Sequence, residues 1–269
     1  MSKHSLGDRA HVVSGLQRDW VAGTIRHQYT VVMALGDGVG AAGKPITARR
    51  LARMRGTLSR RQPDLAVVME NIYDSHNVSA MLRSCDAVGA ATAHLIYDIE
   101  EVPEISGGIS VSAHRWLDLR RHATIADCYD ELRSSGMRIY ATTLGEFSHD
   151  LYDLDLTQPT ALVFGNEVRG VSEEAAAMAD GTVFIPMMGM VESLNVSVAC
   201  AVSLYEALRQ RRVAGTYDSP SWPEDEITGR LRGWLEREGR DPAAAETVVD
   251  AEIPRARNRH EARESRQGR

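Results

Sequence analysis

Between residues 65 and 185 the apolar side chains gather into short continuous runs at 65–69, 93–97, 138–142, 161–164 and 183–185, with little polar alternation inside them. Runs of that length rich in Val, Ile and Leu predict strands covered on both faces. The segments between them carry helical spacing. Helices are predicted over 78–88, closed by Gly89, over 125–134, capped by Thr124 and closed by Gly136, and over 173–179, capped by Ser172. Strand alternating with helix predicts an α/β fold with a mainly parallel sheet.

Outside this core the pattern changes. A longer helix is expected from about Asn195, with Val198, Val202, Tyr205 and Leu208 at three- and four-residue steps before a basic end at Arg209, Arg211 and Arg212. A further amphipathic helix is expected over 222–237. Upstream, 47–61 reads as a basic helix with Thr47 as N-cap and Pro63 as its stop. The domain reading is an irregular extension at 1–48, a basic helix at 49–64, one α/β domain at 65–212, a helical extension at 213–240 and a disordered tail at 241–269.

Composition narrows the class. With 269 residues, 43% hydrophobic and a net charge of -6, the chain can bury a real core and is not a uniformly basic nucleic-acid binder. Three separated cysteines with no CxxC pair exclude a disulfide framework and a zinc ribbon, so no metal is expected and a reducing cytoplasm fits. No apolar stretch reaches the roughly 20 residues that span a bilayer. The charge is uneven: residues 1–66 hold 11 basic and 4 acidic side chains, whereas residues 67–207 hold 7 and 21. Arginines at 49, 50, 53, 55, 60 and 61 are therefore candidates for phosphate contacts on RNA, against the alternative of a solvated helix face.

The stretch from Gly38 to Pro45 matches GxGxxG and most of a phosphate loop. Pro45 stands where the magnesium-holding hydroxyl should be, and the next segment is an arginine-rich helix, not a helix returning to a second strand. A linker is the better reading.

Three other stretches concentrate polar chemistry at strand ends. The first runs from Asn71 to Gly89 and contains Asn77 and Arg83, which are open to a helix-cap and a surface-charge reading. The second, 164–172, reads FGNEVRGVS and the third, 185–199, reads IPMMGMVESLNVSVA. A glycine in each loop, Gly165 and Gly189, would let a ligand approach the backbone.

Taken in order and spacing, NxxAxxR, FGNExxG and IPMxGxxxSLNVSVA closely resemble the three motifs of the SPOUT superfamily of RNA methyltransferases, and within it the SpoU-like tRNA (guanosine 2'-O) ribose methyltransferases. The resemblance covers about 53–217. It implies a C-terminal deep trefoil knot, a homodimer with shared active sites, S-adenosylmethionine as cofactor and tRNA as partner, with a D-loop guanosine as target. It places Glu70, Asn77, Arg83, Glu167, Ser193 and Asn195 at matching positions, the last five as catalytic candidates. It places Gly165, Asn166, Ile185, Met187, Gly189 and Leu194 in the cofactor pocket.

The implied chemistry suits these residue types. Methyl transfer to a ribose hydroxyl is an in-line displacement in which the protein supplies alignment. A guanidinium is a poor proton acceptor but a good fork for oxygen atoms, so Arg83 is expected to orient the ribose and stabilise charge while an RNA phosphate takes the proton. Ribosomal RNA as substrate, and an inactive RNA-binding protein, are the alternatives.

Overall fold

The computed structural model describes residues 46–100, 115–145 and 147–247. The glycine stretch 38–43 and the tail from 248 onward lie outside the described residues, whereas Pro242–Thr247, expected within the disordered tail, form a short 3-10 helix with Ala245 buried. Seven parallel strands form one sheet. In chain order they are β1 (Gln62–Glu70), β2 (Ala90–Ile96), β3 (Asp118–His122), β4 (Arg138–Thr142), β5 (His149–Asp150), β6 (Thr160–Phe164) and β7 (Gly181–Phe184). Across the sheet the order is β3-β2-β1-β6-β4-β7-β5.

The continuous apolar runs have a direct physical cause. In β1, Leu65, Val67 and Met69 face one core while Ala66 and Val68 face the other, because successive side chains alternate across the pleat. The first core is covered by α2 (Ser75–Val88) and α5 (Val196–Val213), the second by α3 (Ile125–Ser134) and α4 (Glu173–Met178). A third cluster joins α1 (Ala48–Leu58) to α6 (Glu224–Arg237) through Leu51, Leu58, Leu231 and Leu235. Caps fall where the side chains allow: Thr47, Thr124, Ser172 and Asn195 each accept from a backbone N–H of the first turn. Gly89 ends α2 at φ 87°, a left-handed value that glycine adopts without strain.

Several expectations are corrected. Helix α1 ends at Leu58, not at Pro63, and Pro63 lies within β1. Helix α2 begins at Ser75 with Asp74 as its cap, so Asn77 is not a cap and its amide is free for other work. The strands β3 and β5 are additions to the sequence reading, since Asp118-Leu-Arg-Arg-His122 is mostly polar and His149-Asp150 is only two residues long. Both lie on sheet edges, where one face or one flank meets water.

The basic segment also divides. Arg61 and Arg211 are fully buried and cannot reach a phosphate. Arg61 donates to the carbonyls of Ala90 (2.9 Å) and Trp116 (3.0 Å) and pairs with Asp86. Arg211 pairs with Asp64 at 2.6 Å and donates to the carbonyls of Leu156 (2.9 Å) and Gln158 (2.9 Å), tying the end of α5 to the start of β1. Arg50 is paired with Glu238, Arg55 with Glu224 and Arg209 with Glu206. Arg49 and Arg53 remain exposed, and their side chains make no hydrogen bond or ion pair among the described residues.

Candidate active site

Parallel strands put all their carboxyl ends on one edge of a sheet, and there the chain leaves β1 at Glu70, β6 at Phe164 and β7 at Phe184. An α/β sheet presents its ligand site at that edge. The first turn is made by Asn71 at φ 52°, the single non-glycine residue of positive φ among the described residues. Asparagine tolerates this region because its side chain can bond the nearby backbone. Here its Oδ1 accepts from the N–H groups of Asp98, Ile99 and Glu100 at 3.3, 3.2 and 3.2 Å. Its carbonyl accepts from the Asn166 side chain at 2.8 Å. The ends of β1 and β2 and the loop after β6 are thus fixed together.

The 165–172 loop is closed on itself. Asn166 Oδ1 accepts from the N–H groups of Val168 (2.9 Å) and Arg169 (3.2 Å), and the Gly170 N–H reaches the Asn166 carbonyl at 2.8 Å. A Cβ on Gly165 would lie 2.1 Å from the carbonyl carbon of Gly170, so this glycine serves close backbone packing before any ligand is considered. Buried Glu70 holds the far end by accepting from the Ser172 N–H at 3.0 Å.

Glu167 projects from this loop to the start of α2. Its carboxylate accepts from the N–H of Tyr73 (2.9 Å), the N–H of Asp74 (3.0 Å) and the side-chain amide of Asn77 (2.9 Å). Partial burial pushes its pKa up, and these three hydrogen bonds outweigh that and hold it below the usual carboxylate value. Asn77 in turn accepts from Asn195 Nδ2 at 3.2 Å, and Asn195 Oδ1 caps α5 by accepting from the Ser197 N–H at 2.9 Å. One hydrogen-bonded line therefore runs Glu167, Asn77, Asn195 across all three polar stretches.

The remaining predicted residues stand around this line. Arg83, further along α2, is exposed, and its side chain makes no hydrogen bond or ion pair among the described residues. Ser193 is exposed beside Asn195. Ile185, Met187 and Leu194 are half-buried, with Ile185 packed on the first core. A Cβ added to Gly189 would meet nothing within 4 Å. Met188 and Met190, at 94% and 98% exposure, stand fully out. An open glycine loop with apolar side chains presented to solvent suits a flat apolar ring with a polar sugar, and so fits an adenosine-bearing cofactor. Sequence reading did not single out Asn71 or the Tyr73 and Asp74 backbone groups; an asparagine directly after a buried strand was the available signal.

A family model described as the SpoU rRNA methylase family matches residues 64–205. The chain belongs to that family. Among curated members, a tRNA (guanosine(18)-2'-O)-methyltransferase of Thermus thermophilus is 47% identical over 194 residues, covering 71% of this chain and 98% of the relative. The enzyme of the same name from Escherichia coli K12 is 44% identical over 168 residues, covering 62% and 73%. The crystal structure of the Aquifex aeolicus TrmH/SpoU tRNA modifying enzyme superposes with a TM-score of 0.66 at 39% identity, over 75% of this chain and 98% of that one. The SpoU methyltransferase AviRb of Streptomyces viridochromogenes, crystallised with AdoMet, gives 0.51 at 30% identity over 58% and 61%. The 64–205 span that defines SpoU membership contains every member of the hydrogen-bonded line.

Proposed function

We propose that the protein transfers a methyl group from S-adenosylmethionine to the ribose 2'-hydroxyl of a guanosine in the D-loop of tRNA, at the position 18 that its relatives' names carry. The observation behind this reading is the line Glu167, Asn77, Asn195, which draws three separated motifs to one edge of the sheet. The cofactor supplies an activated methyl group. Gly189 and the apolar side chains of Ile185, Met187 and Leu194 would hold its adenosine, with the 165–166 backbone as the opposite wall.

The chain's own residues divide the remaining work. Glu167 is a positioning residue: both carboxylate oxygens already accept hydrogen bonds, and its lowered pKa makes it a weak base. Asn77 links it to the head of α5. Arg83 is exposed and free to grip a ribose oxygen and an adjacent phosphate, so the proton passes to that phosphate. Ser193 and Asn195 complete the lip. The 2'-hydroxyl as nucleophile makes the substrate RNA.

Two finer readings belong with this. The C-terminal segment is read as threaded into a trefoil knot, supported by α5 packing on α2 while its cap bonds Asn77. The active unit is read as a two-fold dimer, supported by Val198 and Tyr205, which stay 46% and 53% exposed on one stripe of α5. No helix among the described residues is long and apolar enough to cross a membrane, and a cytoplasmic site of action follows from the substrate.

The test is methyl transfer from labelled cofactor to a tRNA transcript, beside the same transcript with a 2'-deoxyguanosine at the target and beside ribosomal RNA. Transfer to the first alone supports the reading. Equal transfer to the deoxy transcript would overturn the 2'-hydroxyl, and transfer to ribosomal RNA alone would overturn tRNA.

A further inference from the structure

The second core contains a cluster that the site does not use. His94 on β2, His122 at the end of β3 and Cys128 in α3 bring their Nδ1 or Nε2 and Sγ atoms within 4.8 Å of one another. The strand register explains the histidines. His94 pairs with Arg120 and Ile96 with His122, so residues 94, 96, 120 and 122 share one face, the face that α3 covers. His94 Nδ1 lies 2.9 Å from His122 Nε2, and the rings stack at 5.1 Å. Cys128 sits below them in the first turns of α3, fully buried.

Glu131 is three residues further on the same helix face, with Oε2 3.9 Å from His122 Nε2. It is also the partner of Arg120, and Asp127 adds a second nearby carboxylate. Imidazole nitrogens, one sulfur and one carboxylate oxygen, drawn from three elements, are the donor types of a closed tetrahedral zinc site. Zinc bonds of about 2.0–2.3 Å place neighbouring donor atoms roughly 3.3–3.7 Å apart. The 2.9 Å between the two imidazoles lies below that range and the 3.9 Å from His122 to Glu131 above it, so the rings have to part and the Glu131 carboxylate has to turn inward from Arg120 as the ion enters.

We propose that His94, His122 and Cys128, with Glu131 as fourth donor, form a structural binding site for a zinc-type divalent cation. The Cys128 thiol releases its proton to solvent, so that its thiolate and the Glu131 carboxylate meet the two positive charges of the ion, and Glu131 gives up Arg120, whose half-exposed guanidinium turns to water. With four protein donors no position is left open for substrate, so the site is structural. Its effect is to clamp the polar edge strand β3 to β2 and α3. The sequence reading expected no metal because it looked for paired cysteines, whereas this set is spaced 28 and 6 residues apart.

Cobalt(II) titration of the full chain, stripped with chelator and kept reduced, tests this without reference to catalysis. One equivalent should bind with a thiolate-to-cobalt charge-transfer band and the intense visible absorption of tetrahedral cobalt, and zinc should displace it. Cys128→Ala should lose the band, and His122→Gln, at a strand end and gentler to the fold, should weaken binding at least tenfold. At equal concentration zinc should raise the unfolding temperature of wild type more than that of either variant. A folded wild-type protein that shows no charge-transfer band, or a band that persists unchanged in Cys128→Ala, would overturn the proposal.

Discussion

The carboxylate of Glu167 and the side-chain amide of Asn77 meet at 2.9 Å across 90 residues of intervening chain. This contact fixes the loop after β6 against the first turns of α2, and with it the direction from which Arg83 rises. Glu167→Ala leaves two backbone N–H groups and one amide without their acceptor. Because the site is partly open to water, a loss of about 1 kcal/mol in stability is expected, with a much larger loss in methyl transfer. Chemical denaturation and single-turnover transfer, run on the same preparation, check the pair of outcomes.

A pH dependence follows from the same residue. Its folded pKa is lowered below the ordinary 4.5, so the folded state releases its proton more readily than the unfolded chain. The stability from Glu167 is therefore complete above about pH 4.5 and fades as the pH falls below it. Glu167→Gln removes this contribution, and its stability should fall less steeply than that of wild type below pH 4.5. Parallel slopes in denaturant titrations at several acid pH values would show that the carboxylate is not engaged in solution.

Arg83→Ala should leave stability within about 0.5 kcal/mol of wild type, as surface substitutions usually do, and leave cofactor affinity unchanged. Methyl transfer should fall by several orders of magnitude. Calorimetric cofactor binding beside single-turnover transfer separates the two, and retention of near-normal turnover would remove Arg83 from the mechanism.

The two loop glycines should behave differently. Gly165→Ala puts a methyl group 2.1 Å from the Gly170 carbonyl carbon, and the backbone displacement this forces is expected to cost about 3 kcal/mol or more. Gly189→Ala meets nothing and should unfold like wild type, yet bind S-adenosylmethionine more weakly. Thermal unfolding distinguishes the first and cofactor titration the second.

Among the arginines, neutralising Arg49 and Arg53 should flatten the salt dependence of tRNA binding by about 0.7–0.9 for each phosphate deprived of its cation. Arg211→Ala should instead destabilise the fold by on the order of 3 kcal/mol, since it strands Asp64 and several carbonyls. If the Arg49 and Arg53 variant keeps both affinity and slope, α1 contributes only a solvated face.

How much of this the sequence revealed depended on burial. The strands from β1 to β7 that lie inside the sheet announce themselves because both faces are apolar, as in Val67 and Val68 pointing to opposite cores. The polar edge strands β3 and β5 carry no such signal. For the site, residue types and spacing pointed to Asn77 and Glu167, but a helix-cap reading of Asn77 could be rejected only once Asp74 was seen to hold that place. Arginine density said nothing of burial: Arg61 and Arg53 look alike in the chain, and one is a core residue and the other meets water.

The sheet order also sets a timetable for synthesis. Strand β1 gains its neighbour β2 almost at once, but its other flank waits for β6, whose first residue follows the end of β1 by about 90 positions. At roughly 5–20 residues per second, the ribosome leaves that flank unpaired for something like 5–20 s. Throughout this interval a nearly continuous apolar strand offers its open backbone groups to any other nascent chain, so the stage of this protein's life most in need of a chaperone falls between the emergence of Glu70 and that of Thr160.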